Sequence, residues 1–238
     1  MHYLFVHGSW HGMWCWEKLI PYLHHHGHTV SLFDLPGSGD RFSEINDIDF
    51  ATLLNCVEEQ IMKLDEPVSI VAHSFAGLLV APLAEKYVKK INKIFYLAAW
   101  LPREGKSLVD MAMAYNNSEL PSIFINSDNP QWTTIDPEGA KDIFYHDCTE
   151  QDKVFASQLI KPKNKIPDHT PQNAVNPEQS LKKSVYVLCT KDKVVHPSSQ
   201  RDMAKHYGFS DSQIIEFPTG HSPFLANPGE LANILCAS

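Results

Sequence analysis

Three features that would assign this chain to other classes of protein are missing from its 238 residues. No apolar run approaches the ~20 residues that a membrane-spanning helix needs. Acidic residues outnumber basic ones by 28 to 20, which gives a formal charge of −8. The sequence contains no stripe of Lys and Arg that could bind the phosphates of a nucleic acid. We therefore expect neither a membrane nor a nucleic acid among its partners.

Cysteine is also scarce, and its five positions form no CxxC pair. An odd number of widely separated thiols indicates reduced cysteines. Met1 is followed directly by the strand pattern His2-Tyr3-Leu4-Phe5-Val6 rather than by a leader. These observations predict a cytoplasmic protein.

The sequence gives no sign of a metal or a cofactor. The densest histidine cluster, His24, His25, His26 and His28, spreads around a helix end, with no carboxylate at ligand spacing. The segment Gly37-Ser38-Gly39 lacks the remaining glycine and the lysine of a phosphate loop. We predict a protein that works without a cofactor.

Short apolar runs alternate with longer helical patterns along most of the chain. This alternation predicts βαβ units, and therefore an α/β fold with a mostly parallel sheet flanked by helices. The predicted strands are Tyr3–His7, Thr29–Asp34, Val68–Ala72, Ile94–Ala98, Ser184–Cys189 and Gln213–Phe217. The predicted helices are Trp14–His25, Ile48–Leu64, Ala76–Val88, Pro197–Tyr207 and Pro228–Cys236.

The alternation stops in residues 101–180, which are polar and interrupted by prolines. We interpret this segment as an inserted, mainly helical cap over the sheet, with residues 1–100 and 181–238 forming the core. A mobile surface excursion is the alternative. Scattered aromatic residues favour a packed cap, because disordered segments contain few of them.

The segment Val71-Ala72-His73-Ser74-Phe75-Ala76-Gly77 lies where a predicted strand meets a predicted helix. That layout is typical of a nucleophile elbow, which exposes a serine hydroxyl on a tight turn. Alanines occupy the two outer positions of the G-x-S-x-G motif, the smallest possible departure from glycine. Ser74 is therefore the candidate nucleophile; the alternative is a buried serine at a strand end.

Two later strand ends carry the other groups that a serine nucleophile needs. Asp192 follows the strand Ser184–Cys189, where a carboxylate can orient a histidine, although alone it also fits a solvated turn. His221 stands between Gly220 and Pro223 after the last predicted strand, a rigid position for a general base. The order Ser74, Asp192, His221 is that of α/β-hydrolases.

The first strand is followed by His7-Gly8-Ser9-Trp10-His11-Gly12. A loop containing glycines can bring backbone N–H groups close to the negative charge of a tetrahedral intermediate. We predict the amides of Ser9 and Phe75 as the oxyanion donors. The candidates for substrate contact are Trp10, Trp132 and Phe144.

A further motif, Asp34-Leu35-Pro36-Gly37-Ser38-Gly39, lies between the first loop and the elbow. Together the three motifs resemble the plant methylesterase/hydroxynitrile lyase branch of the α/β-hydrolase superfamily and its bacterial relatives. The resemblance extends over the whole chain, is weakest in the cap, and implies the α/β-hydrolase fold. It also implies either hydrolysis of small carboxylic esters or release of cyanide from cyanohydrins.

Two positions distinguish these activities within the branch that the chain resembles. The lyases have a threonine after the first-strand histidine and a lysine after the catalytic histidine. Here these positions are Gly8 and Ser222. We therefore expect a serine carboxylesterase that takes a small-molecule ester through an acyl-enzyme intermediate. A lyase, a small-molecule receptor on a hydrolase fold and a homodimeric state are the possibilities left open.

Overall fold

The computed structural model describes residues 1–237 of the chain. Its strands are β1 (His2–Val6), β2 (Thr29–Ser31), β3 (Val68–His73), β4 (Ile91–Leu97), β5 (Phe124–Ile125), β6 (Trp132–Ile135), β7 (Lys163–Asn164), β8 (Ser184–Cys189) and β9 (Ile214–Phe217). Its α-helices are α1 (Ile20–His25), α2 (Phe50–Lys63), α3 (Ala76–Lys86), α4 (Leu108–Tyr115), α5 (Pro137–Ile143), α6 (Glu150–Leu159), α7 (Pro197–Tyr207), α8 (Pro223–Ala226) and α9 (Pro228–Ala237).

Six of the strands form one sheet in the order β2-β1-β3-β4-β8-β9, and every neighbouring pair is parallel. All six correspond to strands predicted from the sequence, so the predicted mostly parallel sheet is confirmed. Because parallel strands end at the same edge, the residues after β1, β3, β8 and β9 are brought together there.

The central strands are apolar because helices cover both faces of the sheet. Every residue of β3 and of β8 is buried. On one of the covering helices, α2, the residues Leu53, Val57 and Ile61 recur at helical spacing and are buried. Asp49 begins that helix by accepting a hydrogen bond from the Thr52 amide at 2.7 Å.

Residues 101–180, called the cap segment below, hold α4, α5 and α6 together with a small antiparallel sheet of order β5-β6-β7. The sequence did not predict this sheet, because strands of two to four residues are too short to show a period. The division of the chain into a core and a cap stays a prediction.

Polar contacts attach the cap segment to the rest of the chain. Lys18 forms an ion pair with Asp152 at 2.6 Å, and the Asn164 amide donates to the Ile45 carbonyl at 2.9 Å. Among the helices of residues 1–237, none combines the length and the apolar character that crossing a membrane requires.

Candidate active site

Ser74 lies on the sharp turn between β3 and α3. Its backbone φ of 54° is in the left-handed region that non-glycine residues rarely adopt, which is a strained conformation. Neighbouring backbone holds it there: the Ser74 amide donates to the Leu97 carbonyl at 3.1 Å, and the Trp100 amide donates to the Ser74 carbonyl at 3.0 Å. The turn directs the side chain toward the cavity described below, whose wall includes Ser74.

The small residues around Ser74 are explained by close packing. Ala72 and Ala76 are fully buried, and their methyl groups are accommodated. Gly77 is different, because a Cβ at that position would overlap the Trp100 carbonyl oxygen. The turn therefore forms with alanine at the two outer positions of the motif, whereas the position after them requires glycine.

His221 and Asp192 form a buried pair beyond the ends of β9 and β8. His221 Nδ1 lies 2.7 Å from Asp192 Oδ2, and the two residues are 1% and 2% exposed. The carboxylate is held by the Val194 and Val195 amides, which donate to its Oδ1 at 2.7 and 2.9 Å. Because a carboxylate accepts, Nδ1 carries the proton and Nε2 of a neutral His221 is free to act as a base.

Ser74 and His221 are connected through His73, the last residue of β3. His73 Nε2 donates to the His221 carbonyl at 2.8 Å, and the two imidazole rings lie 4.6 Å apart. Within residues 1–237, no direct hydrogen bond links Ser74 Oγ to His221 Nε2. Such bonds are often long in free enzymes and shorten when substrate binds.

His73 itself is a neutral structural group. Burial, together with the charge that His221 can carry, lowers its pKa well below 6.5. Its hydrogen bond to the His221 carbonyl adds a function, the positioning of the candidate base.

Gln200 is a site residue that sequence reasoning missed. Its amide nitrogen donates to Asp192 Oδ2 at 3.0 Å and to the Val195 carbonyl at 2.7 Å. Its amide oxygen accepts from the Cys189 backbone at 3.0 Å, and the residue is fully buried. The sequence did contain a pattern that could have identified it. Gln200 is a polar residue on the buried face of α7, which it shares with Met203, Ala204 and Tyr207 at spacings of three, four and seven residues.

The cap segment also supports the base. Asp147 accepts a hydrogen bond of 2.6 Å from the Gly220 amide, immediately before His221. A Cβ on Gly220 would lie 2.6 Å from the His146 ring and 2.8 Å from Asp147. The loop carrying His221 is therefore in direct contact with the connection between α5 and α6, a contact that no local sequence pattern reveals.

The predicted oxyanion donors, Ser9 and Phe75, both line the cavity next to Ser74. Within the described chain, neither backbone amide donates to a protein acceptor. The loop around Ser9 is held by His11, whose Nδ1 donates to the Ser9 carbonyl at 2.8 Å and whose Nε2 accepts from the Tyr145 hydroxyl at 2.9 Å. Burial lowers the pKa of His11 to about 3, so it is neutral.

A cavity of about 380 Å³ opens above Ser74. Most of its wall is apolar, and most of the lining residues belong to the cap segment. The larger side chains on the wall include Trp10, Trp100, Leu108, Tyr115, Leu120 and Phe124. This combination is typical of a site for a small, largely apolar molecule.

Of the three residues predicted to contact substrate, the structure puts only Trp10 on this wall. Trp132 lies off the wall: its indole donates to the Asn46 side chain at 3.2 Å, and its ring packs edge-on against Phe42. Phe144 also lies off the wall: it is 1% exposed and packs between the Trp10 and His221 rings, at 5.9 and 5.5 Å.

A family model described as "Alpha/beta hydrolase family" matches residues 3–234. The chain belongs to the alpha/beta hydrolase family. The predictions of this fold and of a hydrolase are thereby confirmed. As to metals, residues 1–237 contain no group of three or more His, Cys, Asp or Glu arranged to hold an ion.

The hydrolase is similar over its whole length to plant proteins. Salicylic acid-binding protein 2 of Nicotiana tabacum is 28% identical, with 100% of this chain and 95% of that protein covered. Methylesterase 10 of Arabidopsis thaliana is 27% identical, with coverages of 98% and 90%. The structure of a polyneuridine aldehyde esterase mutant superposes with a TM-score of 0.85 at 24% identity, covering 99% of this chain and 98% of that one. The resemblance to the methylesterase branch is confirmed.

Proposed function

We propose that the hydrolase is a serine carboxylesterase that uses Ser74, His221 and Asp192 as its catalytic triad. One arrangement carries the proposal: a strained serine on the cavity wall beside two unpaired backbone amides, with a buried His–Asp pair behind it. The names of the relatives, which include a methylesterase and an esterase, support ester hydrolysis.

The proposed reaction has two halves. Ser74 Oγ attacks the ester carbonyl carbon while His221 Nε2 takes the hydroxyl proton, and the Ser9 and Phe75 amides donate to the resulting oxyanion. Collapse of this intermediate breaks the bond to the alcohol, which leaves with the proton from His221. Water then gives a proton to His221 and attacks the acyl-enzyme, and the acid is released as Ser74 recovers its proton.

Asp192 has an electrostatic role in these steps. Its carboxylate fixes His221 with the proton on Nδ1 and stabilises the imidazolium that forms when Ser74 is deprotonated. The Val194 and Val195 amides and Gln200 occupy its remaining acceptor sites. Asp192 therefore keeps its orientation through the catalytic cycle.

The cavity narrows the class of substrate. Its volume of about 380 Å³ holds a small ester, and its mainly apolar wall favours a hydrocarbon group over a charged one. A relative named methylesterase supports a methyl ester in particular. We propose methyl or other small-alcohol esters of an apolar carboxylic acid as substrates.

The variant Ser74→Ala tests the nucleophile. Loss of the hydroxyl is expected to lower kcat on p-nitrophenyl acetate at least a thousandfold, because no acyl-enzyme can form. Steady-state kinetics give the effect, and circular dichroism with thermal unfolding shows that the fold is kept. Activity within tenfold of the natural chain would contradict the assignment.

A receptor with slow turnover is the second candidate, and the similarity to a protein named for binding salicylic acid favours testing it. A receptor would give at most one equivalent of product from an activated ester, followed by a rate near zero. The esterase proposal predicts continued turnover after any initial burst. Stopped-flow measurements with known enzyme concentration separate the two.

The structure leaves no room for the threonine, and buries the position of the lysine, that distinguish hydroxynitrile lyases. A Cβ on Gly8 would lie 2.8 Å from Ser74 Cβ, so the threonine of the lyases has no room there. Ser222 is fully buried where the lyases have a lysine. We expect no cyanide release from mandelonitrile. The cytoplasmic location stays a prediction, and a homodimeric state stays an open possibility.

A further inference from the structure

A lysine of the cap segment lies beside the proposed oxyanion donors and has no part in the reaction described above. Lys163 Nζ is 2.7 Å from the Ser9 hydroxyl and 2.5 Å from Asp168 Oδ1. The Lys163 and Asp168 side chains are only 11% and 10% exposed. Burying such an ion pair costs free energy of desolvation, so its location next to the site calls for a reason.

The ammonium group of Lys163 also lies near two aromatic rings. It is 4.9 Å from the centre of the Phe75 ring and 5.0 Å from the centre of the Trp10 ring, within the range of cation–π attraction. With Asp168 on another side, the lysine is held in one position. A positive charge is therefore fixed directly behind Ser9.

The direction of the bond between Lys163 and Ser9 follows from chemistry. An ammonium has only protons to donate, so the Ser9 oxygen must accept and keeps its own proton. Within residues 1–237 that hydroxyl proton has no protein acceptor, and Ser9 shares the cavity wall with Ser74. A hydroxyl that accepts a bond from a cation is polarised and becomes a stronger donor.

We propose that the Ser9 hydroxyl is a third donor to the oxyanion, held and polarised by Lys163. The inference rests on the proposed esterase function and extends it. Ser9 then contributes both its backbone amide and its side chain, whereas Lys163 and Asp168 are positioning residues that act through it. Because full negative charge on the substrate oxygen exists only in the transition state and intermediate, the contribution raises kcat more than it lowers KM.

The variant Ser9→Ala removes the hydroxyl and keeps the backbone amide. We expect kcat on p-nitrophenyl acetate to fall about a hundredfold, with KM changed by less than about twofold. Ser9→Thr, which restores a hydroxyl, is expected to recover part of the loss. An unchanged kcat in Ser9→Ala, or a change confined to KM, would overturn the proposal.

Lys163 is tested through its coupling to Ser9. Lys163→Met keeps the length of the side chain without its charge, and Lys163→Met/Asp168→Asn avoids leaving a buried carboxylate unpaired. Each is expected to lower kcat about tenfold in the natural background and not at all in the Ser9→Ala background, because the lysine acts through that hydroxyl. If the Lys163 variants lowered kcat equally in the natural and Ser9→Ala backgrounds, the lysine would not act through the Ser9 hydroxyl.

Lys161→Met is the matched control. Lys161 is a nearby cap lysine whose ammonium donates to the Gly39 carbonyl at 2.9 Å. Its replacement is expected to leave kcat within about twofold of the natural value, since no hydroxyl of the site depends on it. A loss equal to that of Lys163→Met would point to a general weakening of the cap.

A second readout separates failure of this inference from failure of the esterase function. A fluorophosphonate labels an activated serine without turnover, and its phosphoryl oxygen occupies the oxyanion position. Ser74→Ala should abolish labelling, and Ser9→Ala should slow it at least tenfold. Labelling at the natural rate in Ser9→Ala overturns the third donor alone, whereas labelling that persists in Ser74→Ala overturns the esterase assignment.

Discussion

Gly8 shows how little free space surrounds the candidate nucleophile. A Cβ added there would lie 2.8 Å from Ser74 Cβ and 2.9 Å from His73 Nδ1, closer than real Cβ contacts. Both neighbours are buried, His73 at the end of β3 and Ser74 on the strained turn, so they have little freedom to shift. The glycine is needed for packing between β1 and β3 at their carboxyl ends.

The variant Gly8→Ala therefore tests the geometry of the turn. Its methyl group is expected to displace Ser74, lowering kcat at least tenfold and the free energy of unfolding by about 1–3 kcal/mol. Ester kinetics and urea unfolding measure the two effects. Gly229→Ala is the control, because the nearest neighbour of its Cβ would be the ring of Tyr22, at 3.2 Å. Full activity in Gly8→Ala would show that the turn can relax.

The partners of Gln200 and His73 could not be predicted from the sequence. The triad candidates were found because each follows a recognisable strand. Gln200 instead reaches Asp192 from α7, and His73 reaches His221 from β3. A polar residue on an otherwise apolar helix face indicates a buried partner, but only the packed structure identifies which one.

Among the elements, length and burial decided what the sequence could predict. The parallel strands were all found, and two of them, β3 and β8, are buried along their whole length. The strands β5, β6 and β7 have two, four and two residues, are partly exposed, and were missed. The two candidates for substrate contact in the cap segment, Trp132 and Phe144, lie off the cavity wall, because nothing local defines how that segment folds over the core.

The connection between α5 and α6 is the element most directly coupled to the base. Asp147 accepts from the Gly220 amide at 2.6 Å and so restrains the loop that carries His221. We expect Asp147→Ala to lower kcat about tenfold through a less well oriented base. Asp147→Asn should retain most activity, since its amide oxygen also accepts from that backbone N–H.

A control variant and the two Asp147 variants together show what a loss of kcat means. Asp128→Ala, at an exposed position of the same cap segment, should leave kcat unchanged. Equal activity of Asp147→Ala and the natural chain would show that Gly220 needs no restraint from the cap. An equal loss in Asp147→Asn and Asp147→Ala would indicate that the charge matters rather than the hydrogen bond.

At the scale of the whole molecule, three buried histidines near the site make the free energy of unfolding depend on pH. Burial lowers the pKa of His7, His11 and His73 below 6.5, and for His11 to about 3. Two of them each use an unprotonated ring nitrogen as an acceptor, His7 from the Leu35 amide at 3.1 Å and His11 from the Tyr145 hydroxyl at 2.9 Å. Protonation would therefore break bonds within the core.

We accordingly predict that the protein loses stability as pH falls below about 6.5. In that range the unfolded chain binds protons that the folded chain excludes, so acid favours unfolding. At pH 5 the loss attributable to His11 alone is about 2 kcal/mol. Urea unfolding followed by tryptophan fluorescence at pH 7.5, 6 and 5 measures the change, and His11→Gln should reduce the slope by about one proton. A free energy of unfolding that is constant or rises toward pH 5 would contradict neutral burial of these histidines.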